Sequence, residues 1–289
     1  MAKVLVTGGA GSMGRLVCKG LSTSGHDVTA LDLATANFSG LAGIERVTTL
    51  AGDLGNTGHL AEAVRGADAV VHLAAILPPV ADARPQLARS VNVDGTRNLV
   101  EAIARVCPSA RVVFSSSVSV YGKPSGKEVI TVDSPMNPDD VYAQTKAESE
   151  IIVKECGLEF VALRISGVAI PVFQEPPAAW PFLADQQIEF VHRDDAVTAI
   201  VNAVDSKAAA SRVYNISGGQ TWRMTGEKYV TDYFSMIEVD PGDAVYQDEP
   251  GHFAFYEADD GPESLRYRNN PYGEYLAQLQ ADIDRLMAE

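Results

Sequence analysis

In VYAQTK, residues 141–146, a phenol and an ammonium stand four residues apart. On a helix, Tyr142 and Lys146 lie on one face, one turn above the other. Most such pairs are plain helix surface. This one becomes an acid/base device if a substrate hydroxyl is held beside the phenol. A tyrosine with its ordinary pKa of about 10 is a poor base near neutrality. An adjacent ammonium favours tyrosinate and lowers that value. Tyr142 would then take a proton from a substrate hydroxyl, or return it in the reverse direction. About two dozen residues upstream, ARVVFSSS (110–117) ends in three hydroxyls. A strand ending there delivers them to the C-terminal edge of an open α/β sheet, where ligands bind. Ser117 would hold the substrate oxygen and donate to developing charge. A serine cluster taken alone is usually a turn. The order of the parts makes chance unlikely only when a third part is added.

That part is TGGAGSMG (7–14), which follows the strand-like run KVLVT and opens a helical stretch. Gly8, Gly11 and Gly14 allow backbone N–H groups, with those of Ser12 and Met13, to approach a pyrophosphate at the positive end of a helix. Asp32 ends the next strand, DVTALD (27–32), 18 residues after Gly14. A carboxylate there accepts hydrogen bonds from ribose hydroxyls and repels a 2′-phosphate. A turn-capping aspartate is the competing reading. No Arg or Lys follows in LATANFSG, so NAD is expected rather than NADP. A bound nicotinamide would accept the hydride, and its cationic ring, with the Lys146 ammonium, would favour tyrosinate and lower the Tyr142 pKa; Lys146 would also reach its ribose.

The elements needed to carry these groups are legible in outline. Apolar runs at 3–7, 27–32, 47–54, 68–75, 110–117 and 160–166 alternate with helical stretches at 14–24, 57–65, 85–106 and the one bearing Tyr142. Strands alternating with helices imply right-handed βαβ units and a parallel sheet covered on both faces. Residues 168–189 contain four prolines and read as a loop or lid. Residues 194–205 read as a helix, 213–217 as a strand, 240–264 as irregular and 271–289 as a closing helix. The expected division is a cofactor-binding domain over 1–167 and a smaller substrate-binding lobe over 168–289, with 190–217 returning to the core.

Composition narrows the function. The 289 residues carry a formal net charge of −15, which argues against nucleic acid and against anionic membrane. No uncharged apolar run is long enough to span a bilayer. Cys18, Cys107 and Cys156 are odd in number and far apart, as in a reduced, cytoplasmic protein. The five histidines show no metal-ligand spacing, so no metal is expected.

With these motifs in hand, the chain resembles the extended short-chain dehydrogenase/reductases of the NAD-dependent epimerase/dehydratase family, over roughly residues 3–217. TGGAGSMG is similar to that family's TGxxGxxG, and YAQTK to its YxxxK. The resemblance implies an α/β, Rossmann-like doubly wound parallel sheet with a small C-terminal substrate-binding lobe. GDL (52–54) resembles the segment near the adenine, which implicates Asp53 and Leu54. HLAA (72–75) resembles a cofactor-lining strand end, which implicates Leu73, Ala74 and Ala75. NVDGTRNL (92–99) implies that Asn92 braces the active site beside the cofactor. FSSSVSVYG (114–122) puts the catalytic serine at Ser117 and Ser115 along the cofactor. LRISG, FVHRDDAV and VYNISGG match further blocks. Family members commonly pair through the helices at about 85–106 and 139–156, which implies a homodimer.

Departures from the family refine the expectation. Val118 and Ser119 follow Ser117 where sugar dehydratases resemble one another in an Asp-Glu pair, so 4,6-dehydration is not expected. Residues 168–189 form a short connection without Arg or Lys, which offers no cation for a nucleotide diphosphate. Arg164, Arg193 and Arg223 remain as anion contacts, although Asp194 beside Arg193 favours a surface ion pair. Trp180 and Phe182 either line an apolar pocket or pack the lid. The expected activity is reversible, NAD-dependent hydride transfer on a small or sugar-like secondary alcohol. A nucleotide-sugar epimerase that recycles NAD and a non-catalytic NAD(P) sensor are the alternatives.

Overall fold

KVLVT and DVTALD become the neighbouring strands β1 (Lys3–Thr7) and β2 (Asp27–Asp32). The computed structural model describes residues 1–124 and 126–288. The other strands of the main sheet are β3 (Val47–Ala51), β4 (Ala69–His72), β5 (Arg111–Ser117), β6 (Phe160–Ile165) and β9 (Arg212–Ile216). Their order is β3-β2-β1-β4-β5-β6-β9, with every pairing parallel. A second sheet, in the order β10-β8-β7, holds β7 (Gly167–Ala169), β8 (Gln187–His192) and β10 (Arg223–Thr225). The central strands are apolar along their whole length because helices cover both faces.

The first covering helix is α1 (Ser12–Thr23), with Gly14, Val17, Cys18 and Leu21 turned inward at helical spacing. It packs against α7 (Arg193–Ala203), where a methyl group on Gly20 would come within 2.9 Å of Val201. The other face carries α2 (Thr57–Ala63), the short turns α3 (Val80–Ala83) and α4 (Pro85–Ala88), α5 (Gly95–Val106) and α6 (Val141–Glu155). Leu60, Leu99, Ile103 and Val153 fill the space beneath these helices. Full burial of each such side chain contributes roughly 1.5–3 kcal/mol.

The remaining helices are α8 (Gly226–Met236), α9 (Gly261–Leu265) and α10 (Tyr272–Ala288). With Trp180, Phe182 and Trp222, α8 and α10 build an aromatic core around Tyr229, Tyr233 and Tyr275.

Several expected boundaries move. The run 47–54 leaves the sheet at Ala51, because the Asp53 carboxylate accepts from the Gly55 N–H at 2.8 Å and starts a turn. The run 68–75 leaves it at His72, so Leu73, Ala74 and Ala75 lie beyond the strand end. Helix 85–106 contains a π-helical stretch at Arg89–Asp94. Residues 168–189 are irregular except at their ends, which enter β7 and β8. Helix α8 falls where no element was expected.

Candidate active site

The period of two along β5 divides its serines between two faces. Ser116 turns inward and donates to Glu150 Oε2 at 2.7 Å. Ser117 turns to the opposite face, where it lines one pocket with Tyr142. Its Oγ also accepts from the Ser119 N–H at 3.1 Å and the Ser119 hydroxyl at 2.9 Å. Asp140 starts α6 by accepting from the Ala143 N–H at 2.6 Å, which fixes the turn that carries Tyr142. The buried face of α6 holds Thr145, Lys146, Ser149 and Glu150. Packing alone would select apolar residues there, and Glu150 is held instead by Arg164 at 2.6 Å.

Lys146 is only 4 % exposed, and its ammonium lies 4.6 Å from the centre of the Phe114 ring. Burial lowers its pKa to about 8, against the opposing pull of Glu150. Burial raises the Tyr142 pKa to about 12, while the Ser117 hydrogen bond lowers it and Asp140 raises it. In the chain by itself, burial outweighs the Ser117 contribution and holds the Tyr142 phenol above its ordinary value. His72, buried between Thr7 Oγ1 at 2.6 Å and Thr96 Oγ1 at 2.9 Å, is pushed down to about 3 by burial and by the Lys146 charge. It is a neutral strut between strand and helix.

Asn92 is a brace. Its amide bonds the N–H and carbonyl of Ile76 at 2.7 and 3.1 Å and the Thr145 hydroxyl at 2.9 Å, and Thr145 in turn donates to the Tyr142 carbonyl. Those bonds join Ile76 to α6, as a brace of the site would.

The glycine loop has the form that a dinucleotide needs. Gly8 adopts φ +71°, and a Cβ there would lie 2.8 Å from the Ala74 nitrogen. A Cβ on Gly14 would overlap the Gly8 carbonyl oxygen. Gly11 is exposed, and a Cβ there would meet only the Gly8 oxygen, at 3.2 Å. Helix α1 has no side-chain cap and no acidic residue in its first turn, which leaves its N–H groups for an anion. Ser12 is exposed beside them and Met13 is half-buried on the core. Leu73, Ala74, Ala75 and Ser115 line the adjoining strand ends, half-buried; Asp53 is exposed and Leu54 is packed on Gly95. These features fit a dinucleotide, with its pyrophosphate on residues 11–14.

Both Asp32 oxygens accept backbone N–H groups, from Ala10 at 3.0 Å and Leu33 at 2.8 Å. The carboxylate therefore clamps the glycine loop at the end of β2. Arg15, which the sequence reading passed over, runs along the loop after β2, with its Cδ 2.7 Å from where a Gly40 Cβ would stand. Asp32→Ala should shift the NADP-to-NAD ratio of affinities at least tenfold toward NADP, since the repelling charge goes and the Arg15 charge stays. Equal weakening of both nucleotides in calorimetric titrations would reduce Asp32 to a loop clamp.

A pocket of about 340 Å³ opens over Tyr142, lined by Ser117, Ser119, Asp140, Ser166, His252 and Phe253 among others. His252 and Phe253, in the segment 250–257, thus wall the site. Tyr256 pairs with Ile130 and packs with Val118, Val120 and Tyr121. His252 Nε2 meets Asp139 Oδ1 at 2.5 Å, and its Nδ1 lies 3.6 Å from Asp140 Oδ2. No local pattern marks His252, which is 113 residues from Asp139.

The three candidate arginines are all engaged. Arg164 is buried in an ion pair with Glu150 at 2.6 Å, Arg223 pairs with buried Glu189 at 2.9 Å, and Arg193 pairs with Asp194 at 2.8 Å. Trp180 and Phe182 pack in the aromatic core; neither lines this pocket.

The comparisons agree with this geometry. The pattern of the NAD dependent epimerase/dehydratase family matches residues 4–177. A 3-beta-hydroxysteroid dehydrogenase of Mycolicibacterium neoaurum is 33 % identical over 181 residues, 58 % of this chain and 48 % of the relative. The chain thus spans about half the length of that relative. A D-erythronate dehydrogenase of Cupriavidus necator is 29 % identical over 249 residues, 74 % of this chain and 76 % of the relative. The fold matches a dTDP-glucose 4,6-dehydratase of Bacillus anthracis solved with NAD, at a TM-score of 0.83 and 20 % identity, over 99 % of this chain and 97 % of that one. With its glycine loop, serine-tipped strand and Tyr/Lys helix on a matching sheet, the chain belongs to the NAD dependent epimerase/dehydratase family.

Proposed function

We propose that this protein is an NAD-dependent oxidoreductase that interconverts a secondary alcohol and a carbonyl in a small or sugar-like substrate. The observation that carries the reading is that Ser117 and Tyr142 line one pocket, with the Lys146 ammonium buried one turn on along the same helix. NAD bound along residues 8–14 and 73–75 would supply the hydride acceptor and a positive ring charge. Ser117 holds the substrate oxygen. Tyr142 takes the hydroxyl proton in oxidation and returns it in reduction. Lys146 supplies a desolvated positive charge near both. The engaged arginines argue against a nucleotide sugar in the pocket. The test is NADH formation at its absorbance band across a panel of secondary alcohols, sugars and sugar acids. Epimerised nucleotide sugar without net NADH would overturn the reading.

The pH dependence has a definite sign. Oxidation needs tyrosinate, and burial holds the Tyr142 pKa high, so oxidation speeds up as pH rises toward the apparent pKa. Reduction needs the protonated phenol and slows over the same interval. Lys146→Met should move the apparent pKa of oxidation upward by about one unit or more, because a charge favouring tyrosinate is gone. A profile unmoved by that substitution would remove Lys146 from this role.

A cytoplasmic homodimer packed through α5 and α6 belongs to the same proposal. Ile151 on α6 is 43 % exposed, as an interface residue of the free chain would be. Light scattering would then give twice the 30.8 kDa chain mass.

A further inference from the structure

We propose that the pocket over Tyr142 takes a small uncharged vicinal diol, an aldose or polyol without carboxylate or phosphate. The reacting hydroxyl sits on Ser117 and Tyr142 and its neighbour on Ser166. This assignment rests on the hydride-transfer reading above and names its substrate class.

Ser166 carries the first half. It lines the pocket, is 4 % exposed, and its Oγ is, among the described residues, the buried side-chain polar atom without a hydrogen-bond partner. Buried hydroxyls in native proteins are nearly always bonded. Its backbone N–H is spent on the Ile216 carbonyl at 2.9 Å, and a Cβ on the next residue, Gly167, would come within 3.0 Å of Phe253 Cε1. The hydroxyl is therefore set in a tight wall of the same pocket as Ser117 and Tyr142. A ligand hydroxyl both donates and accepts, so it completes Ser166 in either orientation. A substrate with one hydroxyl satisfies Ser117 and Tyr142 and leaves Ser166 bare.

Charge carries the second half. The ionisable side chains of the lining are Asp140, Tyr142 and His252, with Asp139 bonded behind His252. Among the described residues, no Lys or Arg lines the pocket. Three other basic groups are paired. Lys123 pairs with Glu249 at 2.8 Å, Arg164 with Glu150 and Arg223 with Glu189. Lys146 is buried against Phe114. A carboxylate or phosphate entering here meets the carboxylates of Asp140 and, behind His252, Asp139. The hydroxyls of a neutral sugar find acceptors in Asp140 and a ring nitrogen in His252. The volume of about 340 Å³ is at the small end of ligand pockets, roughly 300–1,000 Å³.

The test uses the full chain with NAD. Initial NADH rates are measured for D-glucose, D-galactose, D-xylose and L-arabinose, for their matched aldonic and uronic acids, and for cyclohexanol. The same sugars and acids are titrated calorimetrically into the NAD-loaded Tyr142→Phe protein, which reports binding without turnover. At least one neutral sugar should exceed its matched acid tenfold in kcat/KM and in affinity. Ser166→Ala should lower the ratio of kcat/KM for that sugar over cyclohexanol about tenfold. Preference for the acids, or a ratio unmoved in Ser166→Ala, overturns the substrate class and leaves hydride transfer standing. Sugar binding without NADH sinks the hydride-transfer reading and leaves the pocket assignment. Neither binding nor NADH with any sugar overturns the assignment.

Discussion

Tyr142→Phe is expected to lower kcat by about 10²–10⁴-fold, the usual worth of a positioned acid/base group. The substitution keeps the ring and removes only the hydroxyl. The dissociation constant for NADH should stay nearly unchanged, because the glycine loop and the strand ends that hold the dinucleotide are untouched. The hydroxyl removed lines the pocket, and Ser117 keeps both of its contacts with Ser119. The protein therefore stays folded, and the loss can be read as chemistry. Stopped-flow measurement of the hydride-transfer step, together with fluorescence titration of NADH, separates the two quantities. A variant that retains more than about a tenth of wild-type kcat would mean that another group moves the proton.

The second large effect falls on stability. Arg164 and Glu150 are 3 % and 0 % exposed, and the guanidinium holds the carboxylate through Nη2 at 2.6 Å and Nε at 3.0 Å. The remaining Nη1 donates to the Tyr121 hydroxyl at 2.6 Å and the Val132 carbonyl at 2.9 Å. Arg164→Met leaves the Glu150 carboxylate buried without its ion partner. Breaking one side of such a pair costs about 3–5 kcal/mol. At roughly 2–4 °C per kcal/mol, Tm should fall by on the order of 10 °C. The double variant Glu150→Leu/Arg164→Met should recover much of that loss, because apolar residues of similar volume often replace a buried pair at little cost. Thermal unfolding followed by circular dichroism decides the matter. A Tm within about 3 °C of wild type for Arg164→Met would show that the pair contributes far less than its burial implies.

Arg164 also marks how far the sequence could be read. Its neighbours along the chain are apolar, so nothing local distinguishes a phosphate contact from a buried strut. The partner, Glu150, lies on another element and becomes visible only when α6 packs on β6. Arg193 is the opposite case: its partner is the next residue, and the pair was legible at once. The same division runs through the site. The glycine loop and YAQTK are local motifs, and their elements could be placed closely because parallel strands buried on both faces are continuous apolar runs. The pKa of Tyr142 was not legible, since its direction depends on burial, which is a tertiary quantity. Ser166 and His252 reach the pocket through strand pairing and a distant segment, without any pattern of their own. Helix α8 did leave a signal, since Thr225 caps it by accepting from the Lys228 N–H at 3.3 Å. Its tyrosines and phenylalanine masked the helical period, being spent on an aromatic core rather than on a simple apolar stripe.

The wall formed by residues 250–257 is tied down mainly through its backbone. Gln186 holds the Gly251 and Phe253 carbonyls at 2.8 Å each, Glu189 accepts the Tyr256 N–H at 3.0 Å, and Ile130 and Phe255 are joined main chain to main chain at 2.8 Å. Side chains add to that ladder: His252 pairs with Asp139 at 2.5 Å and Phe253 packs edge-on against Phe182. The ladder itself runs through the main chain and leaves the side-chain identity of both residues open. Such a scaffold lets new substrate preferences arise by one or two substitutions at positions 252 and 253, with the catalytic machinery inherited intact.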